Sequence, residues 1–182
     1  MLILASGSPR RKELLSLITD EFEVLVSGCD EFVPEGTPAE KVPAILAEQK
    51  ALAVAKLRPE DTVIGSDTVV VLDGEIFGKP KNKEHAHAML KALSSKKHFV
   101  YTGVAVAEND KVRSFVQKTE VEFYELSDET IDKYIETLEP MDKAGAYGIQ
   151  GKGSVLVKGI VGDYFNVMGL PVAETARFRG LV

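Results

Sequence analysis

Apolar residues follow two different periods along this chain, and the changes of period predict alternating strands and helices. Continuous or alternating apolar runs rich in β-branched residues predict strands, whereas apolar residues three and four positions apart predict helices. The predicted strands are residues 2–5, 22–27, 62–72, 75–77, 99–107, 112–124 and 155–161. The predicted helices are residues 9–18, 37–56, 83–93 and 127–138, and a last helix that starts near residue 170.

Turn and capping signals separate these elements. Asp73-Gly74 and Asn109-Asp110 each predict a hairpin turn between two strands. Thr37-Pro38-Ala39-Glu40 has the form of a capping box with proline at the first helical position. Ser94–Lys97 is the best candidate for a boundary between lobes. Because hairpins occur beside the strand–helix alternation, the pattern predicts a mixed β-sheet flanked by helices (α/β), in a single domain over residues 1–182.

Composition and charge narrow the class of protein. The 182 residues are 45% hydrophobic and 27% charged, with a net charge of −6, which is typical of a globular domain. The excess of acid argues against a broad nucleic-acid interface or binding to an anionic membrane. No charge-free stretch exceeds ten residues, as in Tyr164–Ala173, whereas a membrane span needs about 20. A single cysteine, Cys29, and no signal peptide predict a cytoplasmic protein.

The segment Ser6-Gly7-Ser8-Pro9-Arg10-Arg11 is the most informative one. A strand ends there and a helix starts at Pro9, so two arginines lie in a first helical turn, where the helix dipole disfavours cations by about 0.3–1 kcal/mol each. An anion bound at the helix start would reverse that cost, because backbone N–H groups, serine hydroxyls and guanidinium groups would all converge on it. The segment therefore predicts a phosphate site formed by Ser6, Ser8, Arg10 and Arg11. The alternative is that Ser8 caps the helix and both arginines are solvated.

Acidic residues provide a second group of candidates. Asp67 lies within an apolar strand, where aspartate is uncommon, so it could bind a divalent cation, act as a general base, or be satisfied by a turn or an arginine. Asp30-Glu31 is a weaker signal, because an acidic pair in a loop is usually solvated. Together with Asp67, this pair could provide hard oxygen ligands for Mg²⁺ or Mn²⁺.

The glycine-rich segment Asp142–Gly151 is the third candidate. Its three glycines allow the backbone to approach a ligand closely, Lys143 could hold a phosphate, and the amide of Gln150 could read a base edge. A flexible loop is the alternative. Lys50 in a helix and Lys79 in a turn are, each by itself, typical of surface lysines.

In combination, four segments resemble the Maf family of nucleoside triphosphate pyrophosphatases. They are residues 6–15, 65–68, 78–80 and 142–151, and the resemblance extends from residue 2 to about 175. The resemblance implies a fold like that of inosine triphosphate pyrophosphatase: a long, bent mixed sheet with helices and a central cleft between two lobes. It also implies hydrolysis of a nucleoside triphosphate to the monophosphate and pyrophosphate, assisted by a divalent metal cation, Mg²⁺ or Mn²⁺.

The resemblance also implies roles for single residues. Asp67 matches the expected proton acceptor and, with Glu31, the expected metal site. The positions associated with substrate choice are Arg10, Thr68 and Gln150. The positions expected to contact phosphate or metal are Ser8, Arg11, Glu31, Lys50, Lys79 and Lys143.

Finer features of the resemblance favour one branch of the family. Gly148-Ile149-Gln150-Gly151 resembles the dTTP/UTP branch, since a glutamine amide can pair with the carbonyl and N–H of uracil or thymine. Gly103 stands where the family usually has alanine, which predicts a looser strand. The family's association with septum formation leaves a second function open, a nucleotide-binding regulator of cell division without turnover. A homodimer is expected from the family, and a nucleic-acid partner is not.

Overall fold

Seven strands and six helices order the part of the chain that the computed structural model describes, residues 1–180. The strands are β1 Leu2–Ala5, β2 Glu23–Val24, β3 Thr62–Leu72, β4 Glu75–Phe77, β5 Lys97–Glu108, β6 Lys111–Phe123 and β7 Val157–Val161. The helices are α1 Pro9–Ser16, α2 Val42–Ala55, α3 Lys83–Leu93, α4 Asp128–Glu136, α5 Tyr164–Met168 and α6 Val172–Arg179. Short 3₁₀ turns cover Ala39–Lys41, Glu139–Asp142, Ala144–Ala146 and Gly151–Leu156.

The strands form a mixed sheet, as the pattern predicts. Its hydrogen-bonded order is β2-β1-β3-β5-β6-β7, and β4 pairs with β3. β1 runs parallel to β2 and β3, whereas β3–β4 and β6–β7 are antiparallel. Asn109 and Asp110 form the turn between β5 and β6 with φ of 51° and 58°, as expected of a two-residue hairpin.

One local prediction is wrong, and one short helix was not predicted. Thr37 does not cap a helix, because its hydroxyl donates to the nearby carbonyl of Pro34 at 2.7 Å, and α2 begins only at Val42 after a 3₁₀ turn. The sequence pattern also misses α5, since five residues are too few to establish a helical period.

The chain packs as two compact units. The first comprises residues 1–68, 102–117 and the chain from Gly169 onward, and the second comprises residues 69–101 and 118–168. The chain passes from one unit to the other inside β3, β5 and β6, so the boundary expected at Ser94–Lys97 is wrong. That polar stretch is the short connection between α3 and β5 inside the second unit.

Close packing of α2 on the sheet distinguishes the core of the first unit. A Cβ added at Gly65 would lie 2.2 Å from the carbonyl oxygen of Ala47, and one at Gly103 would lie 2.3 Å from that of Pro43. Both distances are shorter than side-chain contacts allow, so glycine at these positions lets the helix backbone contact β3 and β5. Gly103, expected to loosen its strand, is thus a packing position. The close approach of α2 to β3 also brings Lys50 of α2 within reach of Asp67 on β3.

The core of the second unit is built from larger side chains. Leu90, Phe123, Ile131 and Leu156 are almost completely buried between α3, α4 and the sheet. His98 lies among them, fully buried, and its Nε2 is 2.7 Å from the hydroxyl of Tyr147. Burial lowers the pKa of His98 to about 4, so the ring is neutral near pH 7.

Candidate functional site

The start of α1 combines a normal helix cap with an unusual first turn. Ser8 has the extended backbone of an N-cap residue, and its hydroxyl accepts from the backbone N–H of Arg11 at 3.5 Å. The backbone N–H of Ser8 in turn donates to the hydroxyl of Ser6 at 3.2 Å. No acidic residue lies in this first turn, which instead carries Arg10 and Arg11. Capping therefore explains Ser8, but not the two arginines.

The guanidinium of Arg11 is held inside the first unit. Its Nε donates to the carbonyl of Gly169 at 2.9 Å and its Nη2 donates to the hydroxyl of Thr68 at 3.1 Å. Its Nη1 lies 3.4 Å from the hydroxyl of Ser6. Burial lowers the pKa of Arg11, and the nearby carboxylate of Asp67 acts in the opposite direction. A solvated Arg11 is therefore excluded, and Arg10, on the same turn, is half-buried.

A lysine between two carboxylates forms the second part of this site. Lys50 Nζ on α2 lies 2.5 Å from Asp67 Oδ1 on β3 and 3.0 Å from Glu31 Oε1 in the preceding loop. The side chains of Lys50 and Asp67 are 15% and 14% exposed, whereas Glu31 is 48% exposed. The interpretation of Lys50 as a surface lysine is wrong, because the packing of α2 at Gly65 places it over β3.

The two carboxylates fit a partial metal site. Both reach the same ammonium, so hard oxygen donors converge on a point where positive charge is already stabilised. Within residues 1–180, no cluster of three or more His, Cys, Asp or Glu side chains is suited to holding a metal ion. Glu31 and Asp67 alone would leave most of the coordination to substrate and water, which is the usual way proteins bind Mg²⁺.

Gly169 is a contributor to this site that the sequence pattern does not indicate. Gly169 accepts from both Arg11 and the buried hydroxyl of Ser66, the latter at 3.0 Å. Gly169 has φ of 122°, a conformation that side chains disfavour, so glycine is required there. Its only sequence signal is a glycine shortly before the proline that starts α6. Thr68, an expected site residue, also hydrogen-bonds to Thr102 at 2.9 Å.

The glycine-rich segment lies in the second unit, and much of it is buried. Residues 145–149 are all buried. Lys143 Nζ donates to the carbonyl of Glu139 at 2.7 Å and to Asp142 at 2.8 Å. Gln150 is half-buried. Lys79 is exposed on its turn. The carbonyl of the neighbouring Gly78 accepts from the backbone N–H of Gly145 in the glycine-rich segment.

The structure divides the predicted site residues between the two units. The first unit contains Ser6, Ser8, Arg10, Arg11, Glu31, Lys50, Asp67 and Thr68. The second unit contains Lys79, Lys143 and Gln150. Two further residues of the second unit, Tyr134 and Glu139, carry no signal in the sequence. The hydroxyl of Tyr134 accepts from Gly148 in the glycine-rich segment, and the carboxylate of Glu139 accepts from Lys152 and Gly153 just after it.

Among solved structures, this chain is similar to the Ham1 protein of Staphylococcus aureus. The match has a TM-score of 0.50 and 19% sequence identity, and it covers 86% of this chain and 79% of that one. At this identity the likeness concerns the fold alone. It confirms the predicted fold class, a mixed α/β sheet flanked by helices.

Sequence comparison then identifies the family. The profile of the Maf family, described as "Maf-like protein", matches residues 1–179 and so extends over both units. A dTTP/UTP pyrophosphatase of Bacillus cytotoxicus is 54% identical over 96% of this chain and 92% of its own. Another of the same name from Bacillus cereus strain G9842 is 49% identical over 97% and 92%. The chain belongs to the Maf family.

Proposed function

We propose that this protein hydrolyses nucleoside triphosphates to the monophosphate and pyrophosphate, with dTTP and UTP as preferred substrates. The relatives named dTTP/UTP pyrophosphatase support the reaction and the substrates. The observation that carries the proposal is the ion-paired group of Asp67, Lys50 and Glu31 beside the guanidinium of Arg11. Acids and bases of this kind at one place suit the transfer of a phosphoryl-type group to water.

In the proposed reaction, Asp67 is the proton acceptor. The oxygen of a water molecule attacks the α-phosphorus, the bond from that phosphorus to the bridging oxygen breaks, and pyrophosphate leaves with the bonding electrons. The proton of the attacking water passes to the carboxylate of Asp67. Lys50 holds that carboxylate at 2.5 Å and so fixes its direction before the substrate arrives.

Glu31 and Asp67 are the residues that would hold a divalent cation. When bound, the cation supplies neutralisation of the phosphate oxygens and a lower pKa for coordinated water. Arg11 is already anchored by Thr68 and Gly169, so its orientation towards an anion costs little entropy. The half-buried Arg10 adds positive charge at the same helix start.

The motifs of the second unit supply the residues for the remaining roles, phosphate contact and base recognition. Lys79 and Lys143 are proposed to contact phosphate oxygens, and Gln150 is proposed to pair with the uracil or thymine edge. Lys143 would exchange its bonds to Asp142 and the carbonyl of Glu139 for a phosphate. We place this activity in the cytoplasm, since a chain with one cysteine suits a reducing compartment. Within residues 1–180, no helix combines the length and the apolar character that crossing a bilayer requires.

A panel of nucleoside triphosphates tests the proposal. We expect the full chain, incubated with Mg²⁺ or Mn²⁺, to release pyrophosphate from dTTP and UTP faster than from purine nucleotides. Binding of nucleotide without release of pyrophosphate would contradict hydrolysis and favour the regulator of cell division. Turnover of purine nucleotides at the same rate would leave the reaction in place and contradict the assignment of Gln150.

A further inference from the structure

A tyrosine and a glutamate hold the glycine-rich segment of the second unit from both sides of Gln150. The hydroxyl of Tyr134 accepts from the backbone N–H of Gly148 at 3.0 Å. The carboxylate of Glu139 accepts from the backbone N–H groups of Lys152 and Gly153, each at 3.0 Å. The segment that carries Gln150 is therefore attached two residues before it and two residues after it.

The two attachments are joined to each other. The O–H of Tyr134 donates to Oε1 of Glu139 at 3.0 Å, the same oxygen that accepts from Gly153. Tyr134 thus uses its hydroxyl twice, once as donor and once as acceptor. Burial raises the pKa of Glu139, but the N–H groups of Lys152 and Gly153, the O–H of Tyr134 and the charge of Lys143 together lower the pKa below its ordinary value. The carboxylate is accordingly ionised near neutral pH and accepts charge-assisted hydrogen bonds.

Tight packing leaves this arrangement little room to shift. A Cβ added at Gly153 would lie 2.2 Å from the carbonyl oxygen of Gly148 and 2.7 Å from the hydroxyl of Tyr134. Gly151 has φ of 75°, and a Cβ there would lie 2.9 Å from Oε2 of Glu139. The chain therefore turns sharply around Gln150. The residues on the two sides of this turn contact each other and also Tyr134 and Glu139. The backbone position of Gln150 therefore depends on the clamp residues, Tyr134 and Glu139.

We propose that Tyr134 and Glu139 are positioning residues that set substrate specificity by fixing the backbone on both sides of Gln150. The inference rests on the proposed function, in which Gln150 reads the pyrimidine edge. Neither residue has to touch the nucleotide. Their effect passes through Gln150, so it should vanish when the amide of Gln150 is absent.

A double-mutant comparison tests this dependence in the full chain. Tyr134→Phe removes one hydroxyl, and loss of its hydrogen bonds should lower the ratio of kcat/KM for UTP over GTP about tenfold, mainly through KM. In a Gln150→Ala background, the same substitution should leave the ratio unchanged. Tyr124→Phe is the matched control, because Tyr124 lies on the surface, 52% exposed, and should leave the ratio as in the wild type.

A merely structural role gives a different result. In that case Tyr134→Phe would lower the melting temperature and change the ratio equally in both backgrounds, or not change it at all, and either result would overturn the proposal. Glu139→Gln provides a second variant, since an amide cannot accept from all three donors, and its selectivity should shift in the same direction.

Amide hydrogen exchange separates failure of the clamp from failure of the proposed function. We expect faster exchange at Gly148 in Tyr134→Phe, and at Lys152 and Gly153 in Glu139→Gln. If the wild-type chain turns over no nucleotide, the proposed function fails, and the selectivity ratio is then measured as Kd for UTP against GTP. Unchanged exchange in both variants would overturn the positioning role. The same ratio of Kd for UTP to Kd for GTP in Tyr134→Phe and in the wild type would also overturn it.

Discussion

The two units of this protein build their candidate sites in different ways. In the first unit, charged side chains from α1, α2, β3 and a loop are held by ion pairs and side-chain hydrogen bonds, as in Lys50–Asp67 and Arg11–Thr68. In the second unit, a short run of consecutive residues is held mainly through its backbone, by Tyr134 and Glu139. Interactions between charged side chains therefore hold the first site together, whereas a fixed backbone conformation defines the second.

The difference suggests a division of labour. Charged groups that converge on one point stabilise charge developing in a reaction, and their removal slows the chemical step. A backbone held in one conformation presents a donor and an acceptor at fixed positions, and its loss weakens discrimination between substrates. We therefore expect substitutions in the first unit to act on turnover and substitutions in the second unit to act on selectivity and on local stability.

Asp67→Asn should give the largest effect. The amide keeps the shape of the side chain but cannot accept the proton, so kcat should fall about 10²- to 10⁴-fold with little change in KM. Pyrophosphate release under saturating substrate measures this. Asp61→Asn is a matched control. The side chain of Asp61 is 14% exposed, like that of Asp67, and it forms an ion pair with Arg58 in the same unit, but it lies outside the site. Near-normal turnover of Asp67→Asn would remove it as the general base.

The buried His98 should make the stability of the second unit depend on pH. Its pKa is about 4 in the folded protein and about 6.5 when unfolded, so the unfolded chain binds a proton that the folded one does not between these values. The free energy of unfolding should therefore decrease as the pH falls from 6.5 to 4, by about 3 kcal/mol in total.

Urea unfolding of the wild type and His98→Gln across this range isolates the contribution of His98. Other titrating groups are common to both proteins, so the difference in slope belongs to His98. Parallel curves for the two proteins would contradict the assignment of a neutral His98.

Gln150→Glu should affect selectivity rather than the chemical step. Replacing the amide by a carboxylate leaves an N–H of the pyrimidine with an acceptor but removes the donor to its carbonyl, so kcat/KM for UTP and dTTP should fall about 10- to 100-fold. Gln117→Glu introduces the same charge in the first unit and is the control. An unchanged preference among nucleotides would show that Gln150 does not read the base, and the clamp around it would lose its proposed purpose.

Substitution of two helix-capping serines should give the smallest effect, and it compares the two units directly. Ser8 caps α1 in the first unit and Ser127 caps α4 in the second, where its hydroxyl accepts from Thr130 at 3.1 Å. Substitution of either by alanine should lower the free energy of unfolding by about 1 kcal/mol. Only Ser8→Ala should also raise KM for nucleotide, since α4 has acidic residues in its first turn and α1 has arginines. Equal kinetics in both variants would limit Ser8 to a capping role.

Much of the fold and some of the site follow from the sequence. The periods of apolar residues located most elements, and an aspartate inside an apolar strand and two arginines at a helix start drew attention to Asp67 and Arg11. These signals are local, and they arise because burial and the helix dipole make such residues unfavourable without a partner. The family resemblance added Lys50 and Glu31, which composition and spacing alone left at the surface.

The partners of these residues depended on the tertiary structure. Arg11 bonds to Gly169, 158 positions away, and Lys50 reaches Asp67 only because Gly65 lets α2 contact β3. Glu139 had no signal of its own, since its role arises from backbone N–H groups that every residue possesses. The sequence by itself determined which elements form and which side chains carry unusual charge. Only folding decided which of them meet, because contacts between distant segments leave no periodic trace along the chain.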